Sequence, residues 1–205
     1  MKSFPNQIPI FPLSGVIYFP KTNLPLNIFE QRYLDLVNDS IRKDKLMGMI
    51  QSKRKDKGLY KVGCLGKISD FQKSKDGRIL INLTGITRFQ VLEEVKNSKL
   101  YREFKVGYEK FSLDLEPILE EINTGSLMKK AEIFFKKSGL LLNWGEFNKI
   151  KKVQKINTLA MIAPITNEEK QKLLESISLK EKVKTLEDIM NFYLHEVNSN
   201  NQTIQ

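Results

Sequence analysis

Few residues in this chain invite a chemical reading. Gly58 and Gly63 have the separation of the two glycines of a phosphate-binding loop, but Cys64 and Leu65 follow where that loop needs Lys and then Ser or Thr to reach phosphates and magnesium. ATP hydrolysis of the P-loop type is thereby excluded. Ser126 and Lys129 make an S-x-x-K pattern that lacks the S-D-N and K-T-G companions of the acylating enzymes that use it. A serine on an amphipathic helix with no base beside it stays a weak nucleophile. Glu93-Glu94, Glu120-Glu121 and Glu168-Glu169 are adjacent carboxylates, which point in different directions on a helix or a strand and read as solvated surface. His195 is the only histidine, read as a helix-end residue beside backbone carbonyls, and Cys64 is the only cysteine, read as a small core side chain. No internal disulfide can form, and a zinc site lacks its usual ligands. No catalytic residue, metal site or cofactor is expected.

The sharpest electrostatic feature is the basic run Lys53, Arg54, Lys55 and Lys57, with Lys61 and the aromatic Tyr60 close behind. Clustered cations release counterions from phosphate and an aromatic ring can stack on a base, so the run is a candidate nucleic-acid patch. Its plainer reading, which we favour, is a lysine-rich hairpin tip between two strands.

Charge also divides the chain. Residues 1–112 carry 21 Lys and Arg against 11 Asp and Glu, a net +10, whereas residues 113–205 carry 13 of each. The pattern of apolar residues changes near the same place, which predicts two structural units over 1–112 and 113–197 and a flexible, asparagine-rich tail over 198–205. The first unit reads as mainly strand: Ile8–Phe11, Val16–Phe19, Leu24–Ile28, Met47–Gln51, Cys64–Phe71, Ile79–Leu83, Phe89–Val95 and Tyr101–Tyr108 are short apolar runs broken by Gly, Pro, Asn or Asp. Asp76-Gly77 signals a hairpin turn. One helix interrupts the strands between Glu30 and Lys43, where Tyr33, Leu34, Leu36, Val37 and Ile41 follow helical spacing.

Beyond Pro117 the period is helical. A helix through Ile118, Ile122, Met128, Ala131 and Phe135 is expected to bend near Gly125 and stop before Gly139. A short helix through Ile156 and Ala160 should end at Pro164, and Thr166 with Glu169 and Ser178 with Glu181 are capping boxes for two more. The fold class is therefore α+β. Pro5, Pro9, Pro12 and Pro20 break any signal-peptide core, and no apolar stretch approaches the roughly 20 residues of a membrane span, so a cytoplasmic protein is expected.

The segment from Ile8 to Pro20 (IPIFPLSGVIYFP), followed by Leu24 to Tyr33 (LPLNIFEQRY), resembles the opening signature of the Lon-protease N-terminal domain. Gly48–Gln51, Gly63–Ile68, Asp76–Arg78 and Leu83–Phe89 follow in that family's order, and Asn157–Pro164 is similar to a segment of bacterial stand-alone Lon-domain proteins. The resemblance implies a β-rich, PUA-like pseudo-barrel followed by a helical bundle. It also implies a substrate-engaging region without the ATPase and peptidase, which would lie further along the chain.

In that frame Pro12, Gly15, Pro20, Phe29, Glu30, Arg32 and Tyr33 are expected to be folding determinants: Gly15 lets two strands reverse between the prolines, and Arg32 ties the helix to the barrel through a carboxylate. Phe11, Leu13, Ile17 and Phe19 are candidates for an exposed apolar groove that receives unfolded polypeptide. The leading expectation is a non-enzymatic module that recognises polypeptide clients or a partner protein, as an adaptor or quality-control factor. An RNA-binding module using the basic barrel is the alternative. A client's identity and the oligomeric state are not written in the sequence.

Overall fold

The computed structural model describes residues 4–53, 58–117 and 121–200, the last five through their backbone only. Two compact units divide the chain, Met1–Glu116 and Pro117–Gln205. The boundary lies past residue 112 because a 3-10 turn over Glu109–Asp114 belongs to the first unit.

In the first unit the strands are β1 (Gln7–Leu13), β2 (Asn23–Ile28), β3 (Leu46–Ser52), β4 (Leu59–Lys73), β5 (Ile79–Val95) and β6 (Arg102–Gly107), with helix α1 (Gln31–Arg42) between β2 and β3. The sheet order is β2-β5-β4-β3-β1-β6, and β6 also pairs with β5. Five strands therefore close on themselves, while β2 pairs with β5 alone. The pairing is antiparallel except between β1 and β3, whose crossover is the segment carrying β2 and α1.

Alternation along the strands explains why they read as almost continuous apolar runs. Ile8 and Ile10 of β1, Leu46 and Ile50 of β3, Leu65 of β4, Phe89 of β5, and Phe104 and Val106 of β6 form one buried cluster to which every strand of the ring contributes. Phe11, Met47, Met49, Cys64 and Leu83 point the other way and join Tyr33, Leu36 and Val37 of α1 in a second cluster. Burying each such side chain contributes about 1.5–3 kcal/mol. Within the first cluster the Phe89 ring occupies the space that side chains at Gly48 and Gly63 would need, with 2.9 and 2.5 Å from their Cβ positions to the ring.

Two sequence expectations change here. Ile79–Leu83 and Phe89–Val95 are parts of one long strand, β5. Val16–Phe19 is not a strand: its backbone joins no ladder of the sheet, although Ile17, Tyr18 and Phe19 are all buried. This segment crosses β5 at Gly85, whose N–H donates to the Thr22 carbonyl (2.9 Å) and whose carbonyl accepts from Lys21 N–H (2.9 Å). A Cβ at Gly85 would lie 2.2 Å from the Phe19 carbonyl oxygen. The Asp76-Gly77 turn joins β4 to β5 as expected, with Gly77 at φ 88°.

A buried ion pair fastens the 3-10 turn to β5. Asp114 accepts from the backbone N–H (2.9 Å), Nε (2.9 Å) and Nη2 (2.8 Å) of Arg88, and the guanidinium lies 4.3 Å from the Phe111 ring centre.

The second unit holds α2 (Gly125–Lys137), the single turn α3 (Trp144–Phe147), α4 (Lys152–Ile162), α5 (Asn167–Glu175) and α6 (Leu179–Asn200), with α2, α4 and α5 each packed on α6. Gly125 begins α2 rather than bending it, and Ile118 lies outside the described residues. The helix closes before Gly139 with Leu140 N–H donating to the Phe135 carbonyl and Gly139 N–H to that of Lys136, a Schellman ending. Thr166 and Glu169 form the full capping box of α5. At α6, Glu181 N–H donates to Ser178 Oγ (3.1 Å), but the Glu181 carboxylate reaches back to Ile177 N–H (2.8 Å). Helical backbone continues to Asn200, past the start of the expected tail at 198; residues 201–205 lie outside the described residues. His195 is exposed within α6, not at its end.

Two substitutions test the first unit's closures. Gly85→Ala should cost about 3 kcal/mol, because backbone must move to admit the methyl group, and Asp114→Ala about 3–5 kcal/mol, because it strips a buried guanidinium of its carboxylate. Equilibrium urea unfolding measures both.

Candidate functional site

In the first unit a cleft with a volume of about 460 Å³, within the usual range for a binding site, is built from segments far apart in sequence. Pro12 and Ser14 enter it from the end of β1, Glu30, Arg32 and Tyr33 from the start of α1, Lys53 and Leu59 from the β3–β4 connection, and Leu100, Tyr101 and Arg102 from the approach to β6.

Tyr33 is the floor. Its ring packs on Phe11 with centroids 4.2 Å apart, and the Arg32 guanidinium covers it at 4.6 Å. Burial raises the Tyr33 hydroxyl above its ordinary pKa of 10.0, opposed by Arg32, so it stays protonated at neutral pH. Arg32 donates through Nε (3.0 Å) and Nη2 (2.7 Å) to Glu30 Oε2, an exposed pair within the helix start. The expected tie from Arg32 to the barrel is therefore not made. Having turned to Arg32, the Glu30 carboxylate makes no side-chain cap for α1 although Glu30 is its N-cap residue.

The opposite wall is set by Tyr101, whose hydroxyl donates to Asp39 Oδ2 of α1 at 2.7 Å. Arg102 forks onto Glu94 of β5, with Nε–Oε1 at 2.6 Å and Nη2–Oε2 at 2.7 Å. At the third wall Lys53 N–H donates to the Gly58 carbonyl (2.8 Å), which brings the two ends of the basic run together, and Lys53 Nζ stands 5.5 Å from the Tyr60 ring centre. Lys61 is exposed on β4, while Arg54, Lys55 and Lys57 lie outside the described residues.

The signature residues thus separate. Pro12, Glu30, Arg32 and Tyr33 meet at the cleft, Gly15 takes the expected turn with φ 86°, and Pro20 is buried. Phe29, expected to be a folding determinant, is 66% exposed immediately before Glu30. The four apolar candidates do not make an exposed groove: Phe11, Ile17 and Phe19 are interior and Leu13 is partly buried, because the core takes apolar residues first. Leu59, Leu100, Tyr101 and Arg102 went unnoticed as site residues. Nothing in their local spacing marks them, since the ring closure alone brings β6 to α1. Ser126 is exposed near the start of α2 and Cys64 is buried. Among the described residues no group of three or more His, Cys, Asp or Glu is placed to hold a metal ion, and no helix is long and apolar enough to cross a membrane.

Residues 7–191 match the family profile of the ATP-dependent protease La (LON) substrate-binding domain. The Lon protease of Syntrophus aciditrophicus (strain SB) is 26% identical over 93% of this chain and 25% of its own length, and that of Bacillus thuringiensis (strain Al Hakam) is 26% identical over 89% and 24%. The chain thus spans about a quarter of the length of these curated relatives. Among solved structures, the Lon N-terminal domain protein from Xanthomonas campestris superposes with a TM-score of 0.65 at 21% identity, covering 88% of this chain and 96% of that one. The N-terminal domain of Mycobacterium avium complex Lon protease gives 0.64 at 14% identity, covering 90% and 98%.

The Arg102–Glu94 fork makes a pH prediction. Arg102 hydrogen bonds hold the Glu94 carboxyl below its ordinary value of 4.5, so the fork's contribution to stability is present at neutral pH and is lost only as pH falls through that depressed value. Carbon-13 NMR titration should find Glu94 below 4.5 in the wild type and back near it in Arg102→Gln.

Proposed function

We propose, because this chain belongs to the family of the ATP-dependent protease La (LON) substrate-binding domain, that it recognises exposed segments of polypeptide and that the cleft over Tyr33 is where they bind. The observation that carries this reading is the convergence of Pro12, Glu30, Arg32 and Tyr33, residues of the family-like opening segment, on one open cleft. Their side chains offer what an extended chain needs: an apolar surface at Leu59 and Leu100, and hydrogen-bond donors at Arg32, Arg102 and the Tyr33 hydroxyl.

Within this reading the closed ring of five strands is a PUA-like pseudo-barrel and the helices packed on α6 are a bundle. The module works without ATP hydrolysis or peptide cleavage of its own, in the cytoplasm, as an adaptor or a quality-control factor for clients handled elsewhere. What the relatives do as whole proteases is not carried over, since the match spans a quarter of their length. The partly offset charges of the cleft, with Glu30 beside Arg32, suit polypeptide better than a phosphate chain.

Fluorescence anisotropy with a reduced, carboxymethylated protein as an unfolded client tests the proposal. Binding in the micromolar range to the unfolded client and none to its native form is expected. Leu100→Ser should weaken binding about tenfold, the effect of losing an apolar anchor, while changing stability by less than about 0.5 kcal/mol because Leu100 is 65% exposed. Absence of binding to the unfolded client, or RNA binding with a steep salt dependence in its place, overturns the reading.

A further inference from the structure

The donors of the cleft are incompletely used. Arg32 and Arg102 each spend only Nε and one Nη2 hydrogen on their glutamates, so the Nη1 groups of both guanidiniums keep their hydrogens. Among the described residues the Tyr33 hydroxyl has no protein partner and Lys53 has no carboxylate partner. Arg32 and Arg102 both lie near enough to Tyr33 to act on its hydroxyl electrostatically. Arg32, Lys53 and Arg102 thus line the cleft against the carboxylates of Glu30 and Glu94, which pair with Arg32 and Arg102 and leave Lys53 over.

Resting on the polypeptide-recognition reading above, we infer that the cleft selects extended segments carrying an acidic side chain beside an apolar one, with the carboxylate between Tyr33, Arg32 and Arg102 and the apolar side chain against Leu100 and Leu59. A carboxylate accepts through two oxygens and matches the planar donor edge of a guanidinium, so it can use hydrogens that the internal pairs leave over. Complementary charge of this kind sets which segment binds more than how tightly any segment binds. An internal carboxylate fits better than a C-terminal one, which is held by a nest of successive backbone amides, whereas the donors here are long side chains from three elements. Nucleic acid fits less well. Tyr33 and Tyr101 are 9% and 4% exposed, so neither presents an open ring face on which a base could stack.

The test uses the full chain and short fluorescein-labelled peptides, amidated at the C-terminus, that differ only at the middle of a Leu-Asp-Leu, Leu-Asn-Leu or Leu-Lys-Leu core. At moderate salt the Asp peptide should bind roughly three- to fivefold more tightly than the Asn peptide, the upper part of the range for one partly screened charge contact, and the Lys peptide most weakly. In the double variant Arg32→Gln, Arg102→Gln both peptides lose donors to the chain, so the readout is the ratio of their Kd values: the Asp preference over Asn should fall to about one while far-UV circular dichroism is unchanged. Equal binding of the Asp and Asn peptides overturns the acidic preference and leaves polypeptide recognition standing; no binding of any peptide defeats both. A preference that survives in the double variant places the anion elsewhere and overturns the assignment to this cleft. A free C-terminal carboxylate that substitutes for the internal Asp overturns the choice of an internal acidic residue, and displacement of the Asp peptide by oligouridylate with a steep salt slope overturns it in favour of RNA.

Discussion

The first unit depends on a close crossing of two backbones. Where the segment after β1 passes over β5, the Phe19 carbonyl occupies the space of a missing side chain at Gly85, and Gly85 hydrogen-bonds on both its N–H and its carbonyl to Lys21 and Thr22. Lys21 takes a positive φ of 61° at this point, a conformation that costs a non-glycine residue free energy unless its surroundings hold it. The crossing carries Ile17, Tyr18 and Phe19 into the interior together. From it the chain emerges into β2 and then α1, so the helix start that forms the cleft floor is placed by this one contact.

A second constraint is that strands of the ring are buried on both faces. One face meets across the ring, where Phe89 fills the gaps above Gly48 and Gly63; the other meets α1. Bulges between Leu65 and Gly66 and between Ile68 and Asp70 shift the register of β4 against β5 as the long hairpin bends. The pair Arg88–Asp114 then fixes the end of the unit to its middle. A buried ion pair is a poor source of net stability, since desolvation offsets attraction, but it defines one arrangement of the turn against the strand.

Much of this was legible in local sequence. The runs of β1, β2, β3 and β6, the amphipathic stripe of α1, the Asp76-Gly77 turn and the Thr166–Glu169 capping box each follow from residues within a few positions of one another. What local pattern cannot show is convergence. Val16–Phe19 has the composition of a strand, yet the Phe19 carbonyl accepts from Thr22 against Gly85 and Ile17, Tyr18 and Phe19 are taken into the core. Phe11 and Phe19 looked like groove residues by chemistry, and burial claimed them. The cleft is legible only after β6 is known to close the ring, and Arg88–Asp114 links residues 26 apart with no periodic sign of their partnership. In the second unit the helices were readable and their buried polar link was not: Lys182 of α6 donates to Asn157 of α4 at 2.7 Å inside the core.

Ring closure leaves one side of β2 unpaired. Thr22 accepts from Gly85, so the alternation of an antiparallel ladder turns Leu24 and Leu26 toward β5 and turns the backbone groups of Asn23, Pro25 and Asn27 outward. Proline has no N–H to offer at the middle of that row. On the polypeptide-recognition proposal such an unpaired margin carries the hazard of becoming a template for clients, strand upon strand, and at β2 it is interrupted at its centre.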